Sequence, residues 1–390
     1  MDAQPLYDLS PALRLMLMGA VIALGPLAWV WLRGRGQAPA SRLATLTVLT
    51  LFLTFDLVLF GAFTRLTDSG LGCQDWPGCY GMASPTGAHA QISQAQAAMP
   101  TGPVTHGKAW IEMIHRYLAM AVGVLIATLA AATWLRHRRE ALPVHPLWPA
   151  LTLAWVCLQG AFGALTVTMK LFPAIVTAHL LGGMVLLALL CLQAVRYRQA
   201  ARGSGPRAVG PATHAWLWAG MVLLALQLAL GGWVSTNYAV LACDTFPACQ
   251  GSAWPAMDFR QGFELWRALG KTGDGQNLGF AALTAIHYSH RLMAYAVFAV
   301  LAVTAWQLAR CGMGRPARWI AGLLLWQLVT GVSNVVLGWP LLAAVAHTGG
   351  AAALVVAMTW TLCETRRATA GQAVSRPAYR TTVRSTKDFT

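Results

Sequence analysis

Nine apolar runs, each long enough to cross ~30 Å of hydrocarbon, dominate this chain. They lie at about residues 12–32, 43–63, 109–134, 147–168, 174–196, 213–234, 281–308, 318–338 and 341–363. Backbone in lipid must satisfy its own N–H and C=O groups, so runs of this length fold as helices. With 57% hydrophobic and 11% charged residues among 390, a soluble domain is excluded. The expected fold is an all-α integral membrane protein of nine helices.

The net charge of +15 has meaning only through its distribution. Arg33, Arg35 and Arg42; Arg136, Arg138 and Arg139; Arg196, Arg198, Arg202 and Arg207; Arg310, Arg315 and Arg318; and Arg366, Arg367, Arg376, Arg380, Arg384 and Lys387 all fall on one side of the nine-helix pattern. By the positive-inside rule that side is cytoplasmic, with the N-terminus outside and the C-terminus in the cytoplasm. The charge thus sets topology and attracts anionic lipid headgroups, and a nucleic-acid role is set aside. The first run reads as a retained helix and not a signal peptide, because Asp2 and Asp8 precede it with no basic residue before Arg14. The long loops 64–108 and 235–280 face outward.

The chain repeats itself. Laid over itself in a single register, it brings Gly61 onto Gly231, Cys73 onto Cys243, Pro77 onto Pro247 and Cys79 onto Cys249. Further on, EMIHRYLAM matches HYSHRLMAY and AHLLGG matches AHTGG, with the register drifting slightly. Each copy spans four helices, an even number, so both enter the bilayer in one orientation as a parallel repeat. The expected organisation is an extra N-terminal helix and loop (1–42), two pseudo-symmetric four-helix bundles (43–198 and 199–365) and a basic tail (366–390).

His115, His179, His290 and His347 each lie a few residues inside the outer end of an apolar run, His115 about six and His179 about five residues in, roughly 8 Å deep. Ionisable groups within a membrane are costly and mark function by default. One buried histidine is satisfied by a hydrogen bond within a bundle; four at matched depth in a duplicated frame point to two pairs of axial ligands for haem iron. Zinc competes weakly, since a structural site wants four converging ligands. Gly182, Gly183, Gly349 and Gly350, in the turn after His179 and His347, would admit a flat macrocycle close to the backbone. His89, His106, His137, His145 and His214 fall in loops or at helix ends.

Glu112 precedes His115 by three residues and so shares its helix face; at the same place before His290 stands His287. A carboxylate beside a haem edge can act as a general base or stabilise developing positive charge, so the half with Glu112 is read as catalytic and the other as electron-transferring. The bland reading of Glu112 is an ion pair with Lys108 or Arg116. Arg116 and Arg291, next to the ligands, pair with haem propionates or snorkel to the interface. Asp56, inside the second run, has no assigned role.

Cys73 with Cys79, and Cys243 with Cys249, enclose five residues each in outward loops. In an oxidising compartment each pair can close a disulfide that tethers its loop. A redox role for the first pair and a Cys–His metal site are the alternatives. Cys157, Cys191, Cys311 and Cys363 read as apolar filler.

GAFTRLTDSGLGCQDWPGC, IEMIHR and AHLLGG, with their echoes in the second half, resemble the haem A synthases, which serve cytochrome oxidase assembly; the resemblance covers about residues 43–363. It implies an eight-helix pseudo-symmetric bundle in which His290 and His347 ligate a resident haem b. His115 and His179 would ligate the substrate haem O, with Glu112 as the catalytic carboxylate. The implied reaction oxidises a haem methyl group to a formyl group by two hydroxylations and loss of water, with electrons leaving through haem b. It also implies a bacterial inner-membrane location, haem O synthase and oxidase assembly factors as partners, and admits a homo-oligomer. The first helix departs from the eight-helix core. The alternative function is a di-haem cytochrome b that carries electrons without altering its haem, and a third is a parallel-repeat transporter, which would want polar residues through the whole bilayer.

Overall fold

The computed structural model describes residues 10–368. Asp2, Asp8 and the tail positions Arg376, Arg380, Arg384 and Lys387 lie outside the described residues. Among those described, nine helices are long and apolar enough to cross a membrane, and the chain is an all-α multi-pass membrane protein.

Helix α1 (Ser10–Arg33) precedes the repeat. The first bundle is α2 (Pro39–Leu66), α4 (His106–His137), α5 (Leu147–Thr168) and α6 (Pro173–Ala201); the second is α7 (Pro211–Thr236), α9 (Phe280–Arg310), α10 (Gly314–Val336) and α11 (Leu341–Cys363). Short helices α3 (His89–Ala98) and α8 (Phe259–Gly262) lie in the two long loops. Local chemistry sets the helix starts. Proline opens α2, α6 and α7, where a missing N–H costs nothing, and the Thr105 hydroxyl caps α4 by accepting from the Lys108 N–H at 3.2 Å. Thr47, Thr50 and Thr54 bury their hydroxyls by donating to the carbonyl four residues back.

The two bundles have matching neighbours. In each, the first helix packs on the second, the second on the third and the third on the fourth; α6 and α11 meet at the centre, and α2 touches α11 as α6 touches α7. Helix α1 lies on α4, where Gly19 lets it approach the Met120 backbone, the small-residue contact that membrane helices use. At the loop end, equivalent positions meet across the pseudo-two-fold axis. Arg65 donates to the Ser235 carbonyl at 2.7 Å and lies 4.0 Å from the Tyr238 ring centroid, while the Tyr238 hydroxyl donates to Asp68 at 2.7 Å. Burial pushes the Tyr238 pKa up, which keeps this hydroxyl a donor.

At the opposite, basic end a two-stranded parallel sheet joins β1 (Arg207–Val209) to β2 (Thr365–Arg367). The main apolar clusters fill this side, with Leu125, Ile126 and Leu190 in the first bundle and Leu217, Leu301, Ile320 and Met358 in the second. The histidines sit above that packing, toward the loops.

Candidate functional site

His115 is the tenth residue of α4 and His290 the eleventh of α9; His179 and His347 are each the seventh of α6 and α11. At 1.5 Å per residue the first two lie ~14–15 Å from their helix starts and the others ~9 Å. The depth expected from the apolar runs is too shallow for His115, because the Thr105 cap starts α4 at His106, ahead of the first apolar residues. His115 and His179 lie close enough for a charge on one to act on the other, as do His290 and His347 in the second bundle.

Each imidazole faces a glycine on a neighbouring helix. A Cβ on Gly61 would lie 3.0 Å from His115, on Gly163 3.5 Å from His179, on Gly231 2.9 Å from His290 and on Gly331 3.2 Å from His347. These four, and not the glycines that follow the histidines, make the cradle. The space beside Gly182 is filled by Gln159, that beside Gly350 by Gln327 and Trp326, and Gly349 meets Leu59, so those positions serve helix packing.

Two imidazoles per half are the donor set a haem iron takes from protein, the macrocycle supplying the remaining equatorial ligands. Beside each ring the facing glycine leaves a cradle that a Cβ would fill. The residues present therefore fit a haem in each half: His115 with His179, and His290 with His347. Among the described residues no three His, Cys, Asp or Glu side chains converge on a bare metal ion.

Glu112 is buried, at 4% exposure. One carboxylate oxygen pairs with Arg116 Nη2 at 2.5 Å and the other accepts the Cys73 backbone N–H at 2.8 Å. The Arg116 ion pair foreseen as the bland reading is formed, whereas Lys108 turns to the Gly102 carbonyl. In the second half His287, also buried, donates from Nδ1 to the Ala239 carbonyl at 3.1 Å.

The loops are held alike in both halves. Cys73 and Cys79 sulfurs lie 2.02 Å apart, and those of Cys243 and Cys249 1.98 Å, both bonding distances. Arg116 Nη1 donates to the carbonyls of Asp75, Pro77 and Gly78, and Arg291 Nη1 to those of Thr245, Pro247 and Ala248, the equivalent positions of the second copy. Tyr117 and Tyr288 reach the carbonyls of Ala83 and Ala253.

The family model for cytochrome oxidase assembly proteins matches residues 44–359. A heme A synthase of Shewanella oneidensis is 37% identical over 324 residues, covering 81% of this chain and 94% of the relative. The chain belongs to the haem A synthase family. Heme A synthases of Beijerinckia indica and Rhizorhabdus wittichii are 30% and 26% identical, covering 76% and 84% of this chain and 85% and 95% of their own.

Within this haem A synthase fold, several site residues escape sequence reading. Gly163 and Gly331 fall into register when His179 is laid on His347, and could have been found by aligning on those histidines. Arg291 Nη2 is buried without a partner, because its half has no carboxylate at the Glu112 position. Asp56 is exposed on α2.

Proposed function

We propose that this protein is a haem A synthase of the bacterial inner membrane, oxidising the methyl group of haem O to a formyl group by successive hydroxylations. His115 and His179 would hold haem O in the first half, and His290 and His347 a resident haem b in the second. Haem b, when bound, supplies one-electron redox chemistry. The observation that carries this reading is one scaffold built twice with Glu112 in one copy and His287 in the other. A pure electron carrier has no use for a carboxylate in one half only.

Arg116 and the Cys73 N–H hold both oxygens of Glu112, so the carboxylate meets the substrate as a fixed base that accepts a proton or stabilises positive charge, worth about 10²- to 10⁴-fold in rate. Arg116, committed to Glu112 and the loop, orients the carboxylate. Arg291 Nη2 is the group available for a propionate of the second haem. The Cys pairs close structural disulfides over each site, which an outward, oxidising location supports; the basic end faces the cytoplasm. Haem O synthase and oxidase assembly factors are the expected partners.

The test is expression with a farnesylating haem O synthase, followed by pigment extraction, chromatography and mass spectrometry. Haem A and its alcohol intermediate are expected. Haem O alone, in cells that make the protein in full, would leave the electron-carrier reading.

A further inference from the structure

We infer that Thr330 is a positioning residue that fixes His347 in the tautomer protonated on Nδ1, presenting Nε2 to the iron of the second half, and that Phe162 denies His179 the same lock in the first half. The inference rests on the haem A synthase reading above and deepens it.

Thr330 precedes Gly331 on α10 and faces the same imidazole. Its Oγ1 lies 2.8 Å from the Trp326 carbonyl and 3.0 Å from His347 Nδ1. A hydroxyl has one hydrogen and a carbonyl can only accept, so that hydrogen goes to Trp326. The contact with His347 must then be an Nδ1–H donating to Oγ1. A neutral imidazole carries one N–H, which leaves Nε2 with the lone pair that binds metal. Two further bonds hold α11 in place: Gln327 Nε2 donates to the His347 carbonyl and Trp326 Nε1 to the Ala346 carbonyl, both at 2.9 Å.

The first half keeps the frame of this arrangement without the lock. With His179 laid on His347, Gln159 answers Gln327 and Gly163 answers Gly331, but Phe162 answers Thr330. Phenylalanine offers no acceptor, and His179 Nδ1 is buried without a well-formed hydrogen bond, the Gln159 backbone lying beside it. The other ligand of the second half has no such lock, for His290 Nδ1 is buried without a hydrogen-bond partner. Gln227 Nε2 on α7 donates to the His290 carbonyl at 3.1 Å and lies 3.4 Å from His290 Nε2, so it holds the helix backbone and not the ring N–H. Its counterpart in the first copy, with Gly61 laid on Gly231, is Leu57. Hydrogen-bonded partners of ligand histidines fix the ring and raise its basicity, and losing one costs about 10- to 100-fold in metal affinity. A hydroxyl partner on His347 suits a haem that stays, and a phenylalanine at the same place in the first half suits a haem that enters and leaves.

The test compares the full-length holoprotein with Thr330→Val, which keeps the shape, and Thr330→Ser, which keeps the hydroxyl. The first readout is the rate of haem b transfer to excess apomyoglobin. The second is the ferric-to-ferrous ratio of the bound haem at fixed ambient potential. Thr330→Val should release haem b about 10- to 100-fold faster and shift the ratio toward ferrous, while Thr330→Ser stays near the parent. A Thr330→Val protein that isolates without haem is titrated with haemin, and weakened binding there alongside a loaded Thr330→Ser supports the lock equally. Parent-like release and redox ratio in Thr330→Val, or equal losses in Val and Ser, would overturn it. Retention of haem b by both His290→Ala and His347→Ala would instead sink the reading of the second half on which it rests.

Discussion

At the scale of single residues, the site is a set of imidazoles given room by glycines. A methyl group at Gly231, Gly61 or Gly331 would sit 2.9–3.2 Å from a ring, tighter than ordinary van der Waals contact, and one at Gly163 would sit at 3.5 Å. The Ala substitutions should therefore rank Gly231 worst and Gly163 mildest in haem retained per protein, measured by pyridine haemochrome spectra. Equal retention by all four would show that these glycines do not shape the site. Glu112→Gln keeps an acceptor for the Cys73 N–H but removes the charge, so it should hold parent levels of haem while product formation falls about 10²- to 10⁴-fold; unimpaired haem A formation would remove Glu112 from the chemistry. The four histidines and Glu112 were legible in the sequence because ionisable residues stand out in apolar runs. Their glycine and threonine neighbours were not, since nothing in the local pattern separates a glycine that faces a ring from one that faces Gln159; that choice is made by how two helices pack.

At the scale of elements, one arginine gathers the carbonyls of each long loop. Arg116 reaches the loop carbonyls of Cys73, Asp75, Pro77 and Gly78 and Glu112 at once, a fork that lysine cannot reproduce. Arg116→Lys should speed reduction of the Cys73–Cys79 pair by dithiothreitol several-fold, measured by thiol alkylation, and leave the Cys243–Cys249 pair unchanged. Equal rates for the variant and the parent would show that the loop holds itself. All nine spans were readable from hydropathy, and the structure extends most by a few polar residues at their ends, where caps and not apolar runs decide the boundary. Helix α3 and the β1–β2 pair were not readable: α3 has one large apolar residue, Ile92, and each strand is so short that it pairs only because the ends of α6 and α11 lie side by side.

At the scale of the molecule, two like-oriented bundles share one axis, pinned at the loop end by Arg65, Asp68, Ser235 and Tyr238. The repeat was visible in the matched Cys and His spacings, but the pin was not, because an Arg opposite a Ser and an Asp opposite a Tyr look like divergence until the axis brings them together. With the basic end inside, alkaline phosphatase fused after Gly87 should be active and after Arg139 inactive; the reverse pattern would invert the topology. On the proposed reading, one half holds the haem that changes and the other the haem that stays. That division is tested most directly by extracting and quantifying haem b, haem O and haem A from the purified parent, His115→Ala and His290→Ala proteins, each made with haem O synthase. His115→Ala is expected to lose haems O and A yet keep haem b, and His290→Ala to lose haem b yet keep haem O. Haem b lost from His115→Ala and kept in His290→Ala would contradict the division.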